Sequence, residues 1–454
     1  MAGKERAELQ YLRRHYEKPG SQLIVLYGQK HTGMTEMTET FCQGKPVIYY
    51  KARPCSERQQ LFLWGNELRE MGIMLPEYPS YPELFVSLDL NQPGKKVIII
   101  EEFQYIVKQS QLFMPSLVSF LHGLQEGHMV MVVLSSTSIG WVESSMVQKI
   151  GGAALAITGF LKMKEQSFFD MVRYFAGSTR EQQVETYAVL GGFPGLWRQF
   201  DKELSVKENI CRFILRKGSF LHEEAPGLVA RELRETGVYD TILSALACGK
   251  QKLNELYIHT GFSRAKISVY LKNLMELEIV EKVFSFETEG KDNTKKGVYR
   301  IQNHLIYFYF RYLYPHMSRL AVMKPEDFYD TYIAPDFRRF TAFSFVRVCR
   351  EYMAYLNQGK RLPFVYTRMG EWAGKAGDID MVAQDEAGHT LIALCSWEKP
   401  VMSFDDYEWL LFCARKARLQ ADHIYLFSAE RFDNMLLREA EAKNSLHLIG
   451  LHSF

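Results

Sequence analysis

Short apolar runs alternate with amphipathic stretches along the first third of the chain. Runs of consecutive apolar residues bounded by polar segments are typical of buried parallel strands. They predict strands at Leu23–Tyr27, Pro46–Tyr50, Val97–Ile100, Met129–Leu134 and Ala154–Gly159. The stretches between them have the three-to-four-residue apolar spacing of helices. Strands that alternate with helices in this way predict a parallel α/β sheet.

The pattern changes after the predicted sheet, and it divides the chain into five parts. Residues 1–160 form the predicted core, and the helical spacing of residues 161–238 is typical of a helical lid. Residues 239–303 predict three helices followed by two strands, which together make a winged helix. Residues 304–334 predict a helical connector, whose dense aromatic residues favour a packed core over a base-stacking surface. Residues 335–454 predict a second α/β domain.

The loop after the first strand has the spacing of a Walker A phosphate loop with one substitution. In the intact motif, backbone N–H groups cradle the phosphates, a lysine reaches the β- and γ-phosphates, and a Ser or Thr hydroxyl binds Mg²⁺. The Ser/Thr position holds Thr35, but the lysine position holds Met34. The candidate nucleotide-binding residues are Gly28, Gln29, Lys30, His31, Thr32, Gly33, Met34, Thr35 and Glu36.

The methionine at position 34 governs what this loop is expected to do. Removing an ammonium beside a phosphate costs roughly 1–4 kcal/mol of attraction near a protein surface. Electrostatic stabilisation is the main contribution of a protein to phosphoryl transfer, so we expect hydrolysis to suffer more than binding. Lys30 is a possible substitute charge, although no spacing rule supports it. The other interpretation is an ordinary strand–turn–helix with two turn glycines.

The third predicted strand ends in two acids, Glu101 and Glu102, and has the form of a Walker B strand. Ligands of open α/β sheets bind beyond the carboxyl ends of the strands. We therefore expect Thr35 and Glu101 to hold Mg²⁺ and Glu102 to orient the attacking water, although a solvated acidic loop is the simpler alternative. The residues 135–137 after the fourth strand either sense a γ-phosphate or cap the next helix.

Basic residues of the predicted winged helix are candidates for contact with a DNA backbone. The alternative is that this part packs on protein and its charges only keep the surface solvated. The candidate DNA-binding residues are Arg264, Lys266, Lys272, Lys291, Lys295 and Lys296.

The C-terminal part has an acidic strand but lacks the other charged members of a nuclease site. Its predicted strands are Phe364–Tyr366, Ile379–Ala383, Leu391–Cys395, Ile424–Phe427 and His447–Gly450.

Asp378 and Asp380 match the acidic strand of a restriction-endonuclease-like core. The E-x-K positions one strand later hold Leu394 and Ser396, and Val346 lies near the position of the first-helix acid. Because one acid cannot build this metal site, we expect a nuclease fold without nuclease chemistry.

Composition sets the remaining limits. The chain has 454 residues, 47% of them hydrophobic and 24% charged, with a formal net charge of +2, which excludes a globally basic nucleic-acid binder. Its seven cysteines are dispersed with no Cys-x-x-Cys pair, so we expect reduced thiols and no zinc ribbon. Neither a signal peptide nor an apolar run of about 18 residues occurs, so a cytoplasmic protein without a membrane span is expected.

Taken in order, five blocks of sequence resemble an archaeal-type family of P-loop ATPases of the STAND and AAA-like class, whose members end in a PD-(D/E)xK nuclease-like domain of unknown function. The blocks are YGQKHTGMTEM, KKVIIIEEFQYI, TYAVLGGFPGLWRQF, GVYRIQNHLIYFYFRYLYP and EWAGKAGDIDMVA. The resemblance implies ATP and Mg²⁺ as cofactors. It also implies an α/β P-loop NTPase core with a helical lid, a winged helix and a C-terminal α/β restriction-endonuclease-like domain.

Three functions remain open at this stage. The first is a divergent ATP-binding protein with weak or absent hydrolysis that acts as a regulatory or scaffold module. The second is an active ATPase in which another residue replaces the Walker A lysine. The third is a winged-helix DNA-binding regulator. The expected partners are a nucleotide and, in the regulatory functions, double-stranded DNA or another protein.

Overall fold

The computed structural model describes residues 6–88, 95–124, 128–288, 297–374 and 376–454. The chain forms two compact units, Met1–Glu165 and Gln166–Phe454. Within the described ranges, none of the helices combines the length and the apolar character that crossing a membrane requires. All seven cysteines lie in these ranges and are free.

The first unit is built on a parallel sheet with the strand order β2-β3-β4-β1-β5. Every residue of β3 and β4 is buried, which explains their uninterrupted apolar sequences. The strands are β1 Gln22–Gly28, β2 Val47–Lys51, β3 Lys96–Glu101, β4 Val130–Ser136 and β5 Gly159–Met163. The helices are α1 Ala7–Glu17, α2 Met34–Cys42, α3 Glu57–Glu70, α4 Tyr81–Val86, α5 Gln104–Gln109, α6 Phe113–His122, α7 Ile139–Ser144 and α8 Met146–Ile150.

The predicted strand Ala154–Gly159 is wrong. Residues Gly151–Ala156 form a 3-10 helix, because this run of glycine and alanine has little side chain to pack against a sheet. The strand begins instead at Gly159, and β5 pairs with Ile24–Gly28 at the edge of the sheet. Only Met163 of β5 is buried, so its sequence lacks the apolar run that marks the inner strands.

The second unit begins with helices and continues into a three-helix segment with a two-stranded antiparallel hairpin. The first helices are α9 Phe168–Tyr174, α10 Arg180–Leu190, α11 Pro194–Trp197, α12 Val206–Ile210 and α13 Phe220–Glu232. The three-helix segment and its hairpin are α14 Thr236–Ala247, α15 Leu253–Thr260, α16 Arg264–Glu276, β6 Val280–Val283 and β7 Val298–Ile301. This is the predicted winged-helix arrangement. Its hairpin tip, which includes Lys291, Lys295 and Lys296, lies outside the described residues.

The glycine-rich motif after α10 is closely packed within the second unit. Gly191 ends α10 with a φ of +61°, and a Cβ there would lie 3.0 Å from the His304 ring. The indole N–H of Trp197 donates to the Gly191 carbonyl at 2.7 Å. His304 is buried, with Nδ1 3.2 Å from the Ala188 carbonyl and Nε2 2.9 Å from Arg347 Nη1. Burial, followed by the Arg347 charge, lowers the pKa of His304 to about 3, so the ring is neutral.

The aromatic connector packs into the core, as predicted. Leu305, Ile306, Phe308, Phe310 and Leu313 are all at most 1% exposed. They have no surface on which a base could stack. The connector helices are α17 His304–Phe308, α18 Met317–Leu320 and α19 Pro325–Phe328, with further short π and 3-10 turns between them.

The chain ends in a mixed sheet with the order β14-β12-β10-β9-β8. Strands β8, β9 and β10 are antiparallel, and β10, β12 and β14 are parallel. The elements are α20 Ala334–Gln358, β8 Arg368–Ala373, β9 Asp378–Gln384, β10 Thr390–Ser396, β11 Val401–Met402, α21 Phe404–Ala417, β12 His423–Ser428, β13 Arg431–Phe432, α22 Asn434–Ala442 and β14 Leu446–Gly450.

The predicted strand Phe364–Tyr366 is wrong, and the true edge strand is β8. The Asn357 side chain at the end of α20 forms two hydrogen bonds with the backbone of Tyr366. Its amide donates to the Tyr366 carbonyl and accepts from the Tyr366 N–H, both at 3.0 Å. That backbone therefore does not pair with a strand. In β8 the charged Glu371 is half-buried, which hides the strand from a search for apolar runs.

Candidate nucleotide-binding site

The loop between β1 and α2 is held by a hydrogen bond within the loop and by one from Arg6, which precedes α1. The buried Thr32 hydroxyl donates to the Gln29 carbonyl at 2.8 Å, and Arg6 Nη1 donates to the Thr32 carbonyl at 3.3 Å. His31 and Gly33 have left-handed φ values of +71° and +83°. Backbone turns of this kind and the N-terminus of a helix both favour an anion, so the loop fits a phosphate.

The two glycines of the motif have different reasons to be glycine. A Cβ at Gly28 would lie 2.6 Å from the Met163 carbonyl oxygen, so the close approach of β5 excludes any side chain there. Gly33 precedes α2 in a left-handed conformation that other residues rarely adopt. Lys30 is exposed, and Glu36 lies half-buried in the first turn of α2.

Met34 belongs to the apolar core. Its side chain is buried, with 9% of the residue exposed, in a cluster that includes Leu12, Ile24, Met37 and Phe41. The position that carries the ammonium in an intact loop therefore contributes packing here and no charge.

Thr35 and Glu101 meet at the carboxyl end of the sheet. The exposed Thr35 hydroxyl donates to Glu101 Oε1 at 3.1 Å, and Lys51 Nζ lies 3.1 Å from Glu101 Oε2. Burial and a hydrogen bond to Glu101 raise the pKa of Tyr49. Hydroxyl and carboxylate oxygens suit Mg²⁺. Among the described residues, no group of three or more His, Cys, Asp or Glu side chains could hold a metal ion.

The Glu102 carboxylate accepts hydrogen bonds mainly on Oε2, and the Thr137 hydroxyl also lies 3.0 Å from Oε1. The φ of Glu102 is +56°, and its carboxylate accepts from the Thr137 N–H at 3.2 Å, the Thr137 hydroxyl at 2.9 Å and Gln104 Nε2 at 2.5 Å. Thr137 therefore fixes Glu102. Ser136 Oγ accepts from the Ser138 N–H at 3.1 Å and so closes the turn before α7.

The acidic strand of the C-terminal sheet faces an arginine pair. Arg350 Nη2 donates to the Asp380 carbonyl oxygen at 2.6 Å and to Glu371 Oε2 at 3.0 Å. Arg300 Nη1 lies 2.7 Å from the same Glu371 oxygen. Asp380 Oδ2 accepts from the Cys395 N–H at 2.8 Å. Burial raises the pKa of Asp380 to about 6. Burial also favours a raised Glu371 pKa, but the contacts of Arg300 and Arg350 outweigh it and lower that pKa.

This geometry changes the picture drawn from sequence at three positions. Asp378 is exposed and accepts from the Gly374 N–H at 3.3 Å, so its hydrogen-bond partner differs from those of Asp380. Arg350 of α20, rather than Val346, reaches the acidic strands. Glu371 was missed because nothing in its sequence neighbourhood links it to Asp380.

The described DNA-binding candidates lie on α16. Arg264 Nη2 donates to Asn254 Oδ1 at 2.5 Å, and its guanidinium lies over the Tyr257 ring at 4.1 Å. Lys272 Nζ is 3.7 Å from Glu276 Oε1. Lys266 lies over the Phe262 ring, 4.8 Å from its centroid. All three basic side chains are on exposed positions of the helix.

Comparisons with known proteins match parts of this architecture. Residues 309–408 match a family described as archaea bacterial proteins of unknown function, and residues 241–282 match the bacterial regulatory proteins of the arsR family. An uncharacterized protein of Methanocaldococcus jannaschii is 26% identical over 393 residues, which are 84% of this chain and 83% of that protein.

Two solved structures are similar to parts of this chain. A Walker-type ATPase of Pyrococcus abyssi has 17% sequence identity and a TM-score of 0.48, covering 68% of this chain and 95% of its own. The ORC2 protein of Aeropyrum pernix, solved in ADPNP and ADP complexes, has 13% identity and a TM-score of 0.44, covering 70% and 94%.

Two parts of the predicted fold are confirmed. The first unit is the predicted parallel α/β core with a strand–loop–helix at Gly28–Thr35. The match to the arsR family spans α14, α15, α16 and the start of β6, and it supports the winged helix. The boundaries at 238, 303 and 334 stay predictions.

Arg350 is expected to stabilise the C-terminal sheet. The variant Arg350→Met leaves Glu371 with Arg300 as its charged partner and removes the positive charge beside Asp380. We expect the free energy of unfolding to fall by about 2–4 kcal/mol, below the full cost of breaking a buried pair because the Arg350 side chain is 26% exposed. Urea denaturation of the full chain measures this.

The matched control is Arg300→Met, which leaves Arg350 on the same carboxylate and is expected to cost less. The double variant Arg350→Met/Glu371→Gln is expected to recover part of the loss. Equal stability of wild type and Arg350→Met would show that the arginine contributes nothing to the sheet.

Proposed function

We propose that the chain is a divergent ATP-binding protein with weak or absent hydrolysis, and that it acts as a regulatory or scaffold module. The observation that carries the proposal is the division of roles at the start of α2. Thr35 is exposed and in contact with Glu101, whereas the neighbouring Met34 is buried in the core. The strand–loop–helix frame is present, and Met34 stands at the lysine position of the motif.

Binding would use groups that the loop retains. The backbone of residues 28–35 and the N-terminus of α2 would hold the phosphates, and Thr35 with Glu101 would hold Mg²⁺. Mg²⁺ would supply positive charge to the phosphate oxygens. None of these contacts requires the lysine, which explains why binding is proposed to outlast hydrolysis.

Weak hydrolysis follows from two features. Met34 contributes no charge to the transferring phosphate, and charge is the main source of rate in this chemistry. Glu102 is the residue proposed to orient a water, and Thr137 and Gln104 hold its Oε2 by three hydrogen bonds. A nucleotide-driven rearrangement would have to break those hydrogen bonds before Glu102 could act.

The C-terminal sheet is proposed to be nuclease-like in fold and without nuclease chemistry. The mixed strand order with Asp380 on β9 supports the likeness. Leu394 and Ser396 supply neither of the charged groups that the water-activating half of the site needs. Arg350 lies against Glu371 and the Asp380 backbone, so a side-chain cation already neutralises the acidic strands.

Isothermal calorimetry with ATP and Mg²⁺ tests the nucleotide proposal. The wild type is expected to bind ATP, and Met34→Lys is expected to bind it about tenfold more tightly, because the added ammonium gains roughly 1–2 kcal/mol of attraction to the terminal phosphates. The substitution places a charge in an apolar cluster, so its thermal unfolding without nucleotide is measured alongside.

Met34→Leu is the matched control, since it keeps the packing and adds no charge, and its ATP affinity is expected to equal that of the wild type. A wild type that does not bind ATP at millimolar concentration contradicts the proposed function. Tight binding by the wild type that Met34→Lys leaves unchanged contradicts the role given to position 34.

A second candidate function, a winged-helix DNA-binding regulator, is favoured by the match of residues 241–282 to regulatory proteins. Arg264 and Lys272 lie on exposed positions of α16, the third helix of the motif, where phosphate contact is possible. The base of the wing is hydrogen-bonded to strand β8, because the Phe286 N–H donates to the Glu371 carbonyl at 2.6 Å. Helix contact is therefore proposed without a contribution from the base of the wing.

Fluorescence anisotropy with a labelled duplex at increasing salt tests DNA binding. Arg264→Ala/Lys272→Ala is expected to weaken binding about tenfold and to reduce the salt slope by roughly two, because two phosphate contacts are lost. Arg212→Ala/Lys217→Ala, which removes the same charge from exposed positions elsewhere, is expected to change neither. Equal affinities for both double variants contradict the assignment.

The same duplex incubated with Mg²⁺ is expected to stay intact. Cleavage that Asp380→Ala abolishes would contradict a C-terminal sheet without nuclease chemistry.

A further inference from the structure

A lysine that the Walker pattern does not include lies beside the candidate phosphate site. Lys51 is the last residue of β2 and is in register with Glu101, the last residue of β3. Its Nζ lies 3.1 Å from Glu101 Oε2, while the Thr35 hydroxyl contacts Oε1 of the same carboxylate at 3.1 Å. One carboxylate therefore separates this ammonium from the hydroxyl of the phosphate loop.

The two members of the pair differ in how firmly they are placed. The Glu101 side chain is 8% exposed, whereas the Lys51 side chain is 59% exposed. Lysine has a flexible four-carbon stem and a compact charge that binds phosphate well. The ammonium can turn on its stem toward an anion at the loop, while the carboxylate stays fixed between the strands.

We propose that Lys51 supplies an ammonium that contacts the terminal phosphates of the bound nucleotide and so compensates in binding, but not in hydrolysis, for the lysine absent at position 34. The proposal rests on the ATP binding proposed above and names the residue that carries its charge. Before the nucleotide binds, Glu101 holds the ammonium at the edge of the site. When a nucleotide binds, its phosphate oxygens would replace the carboxylate as the partner of Lys51, and Glu101 would then be available, with Thr35, to hold Mg²⁺.

A competing role for Lys51 is to neutralise the buried Glu101 without touching the nucleotide. The two roles differ in a Glu101→Gln background, which removes the charge that needs neutralising. If Lys51 contacts phosphate, its loss still weakens ATP binding in that background. If it only neutralises Glu101, its loss has no further effect there.

Calorimetry with ATP and Mg²⁺ on the full chain tests the proposal. Lys51→Met is expected to bind ATP at least tenfold more weakly than the wild type, and Lys51→Arg is expected to stay within about threefold of it. Lys51→Met/Glu101→Gln is expected to bind at least tenfold more weakly than Glu101→Gln alone. Adding Met34→Lys to Lys51→Met is expected to restore most of the loss, because it returns an ammonium to the site.

Lys108→Met is the control, since it removes a charge from an exposed position on α5, and its affinity is expected to match the wild type. Equal ATP affinity of the wild type and Lys51→Met contradicts the role of Lys51 and leaves the proposed function standing. Loss of affinity that disappears in the Glu101→Gln background also overturns it, in favour of neutralisation. A wild type that does not bind ATP removes both proposals together.

Discussion

The carboxylate of Glu101 is the group on which the candidate phosphate site depends. It is nearly inaccessible, and it holds a hydroxyl from α2 and an ammonium from β2 at 3.1 Å each. A buried carboxylate is costly unless it is paired. Through these partners the carboxylate links the start of α2 to the ends of β2 and β3. The same contacts place Thr35 and Lys51 on either side of one carboxylate. The pairing that stabilises buried Glu101 therefore also brings together the groups proposed to bind the nucleotide.

Both units contain an acid on a sheet strand with a side-chain cation beside it. In the first unit Lys51 lies on Glu101, and in the second Arg350 lies on Glu371 and the Asp380 backbone. The arginine is the more deeply placed of the two, at 26% exposure against 59%. The exposed lysine can exchange its partner for a phosphate, whereas the arginine is held by two contacts. This difference supports a binding role in the first unit and a structural role in the second.

The sequence patterns predicted the elements that are determined by residues close together in the sequence. The inner strands β3 and β4 are continuous apolar runs because both of their faces are buried, and the loop at Gly28–Thr35 is marked by its glycine spacing. The edge strands β5 and β8 were misplaced because an edge strand buries few side chains and so leaves no such run. Lys51, Arg350 and Glu371 could not be assigned from sequence, since their partners lie tens of residues away and only the folded structure brings them together.

The claim that this phosphate site binds more readily than it hydrolyses is tested most directly by phosphate release from ATP and Mg²⁺ with the purified full chain. The lysine position of the motif holds Met34, and Glu102 is held by Thr137 and Gln104. We therefore expect a rate of phosphate release no higher than that of the Glu102→Gln variant. Sustained turnover by the unaltered chain that Glu102→Gln abolishes would contradict it.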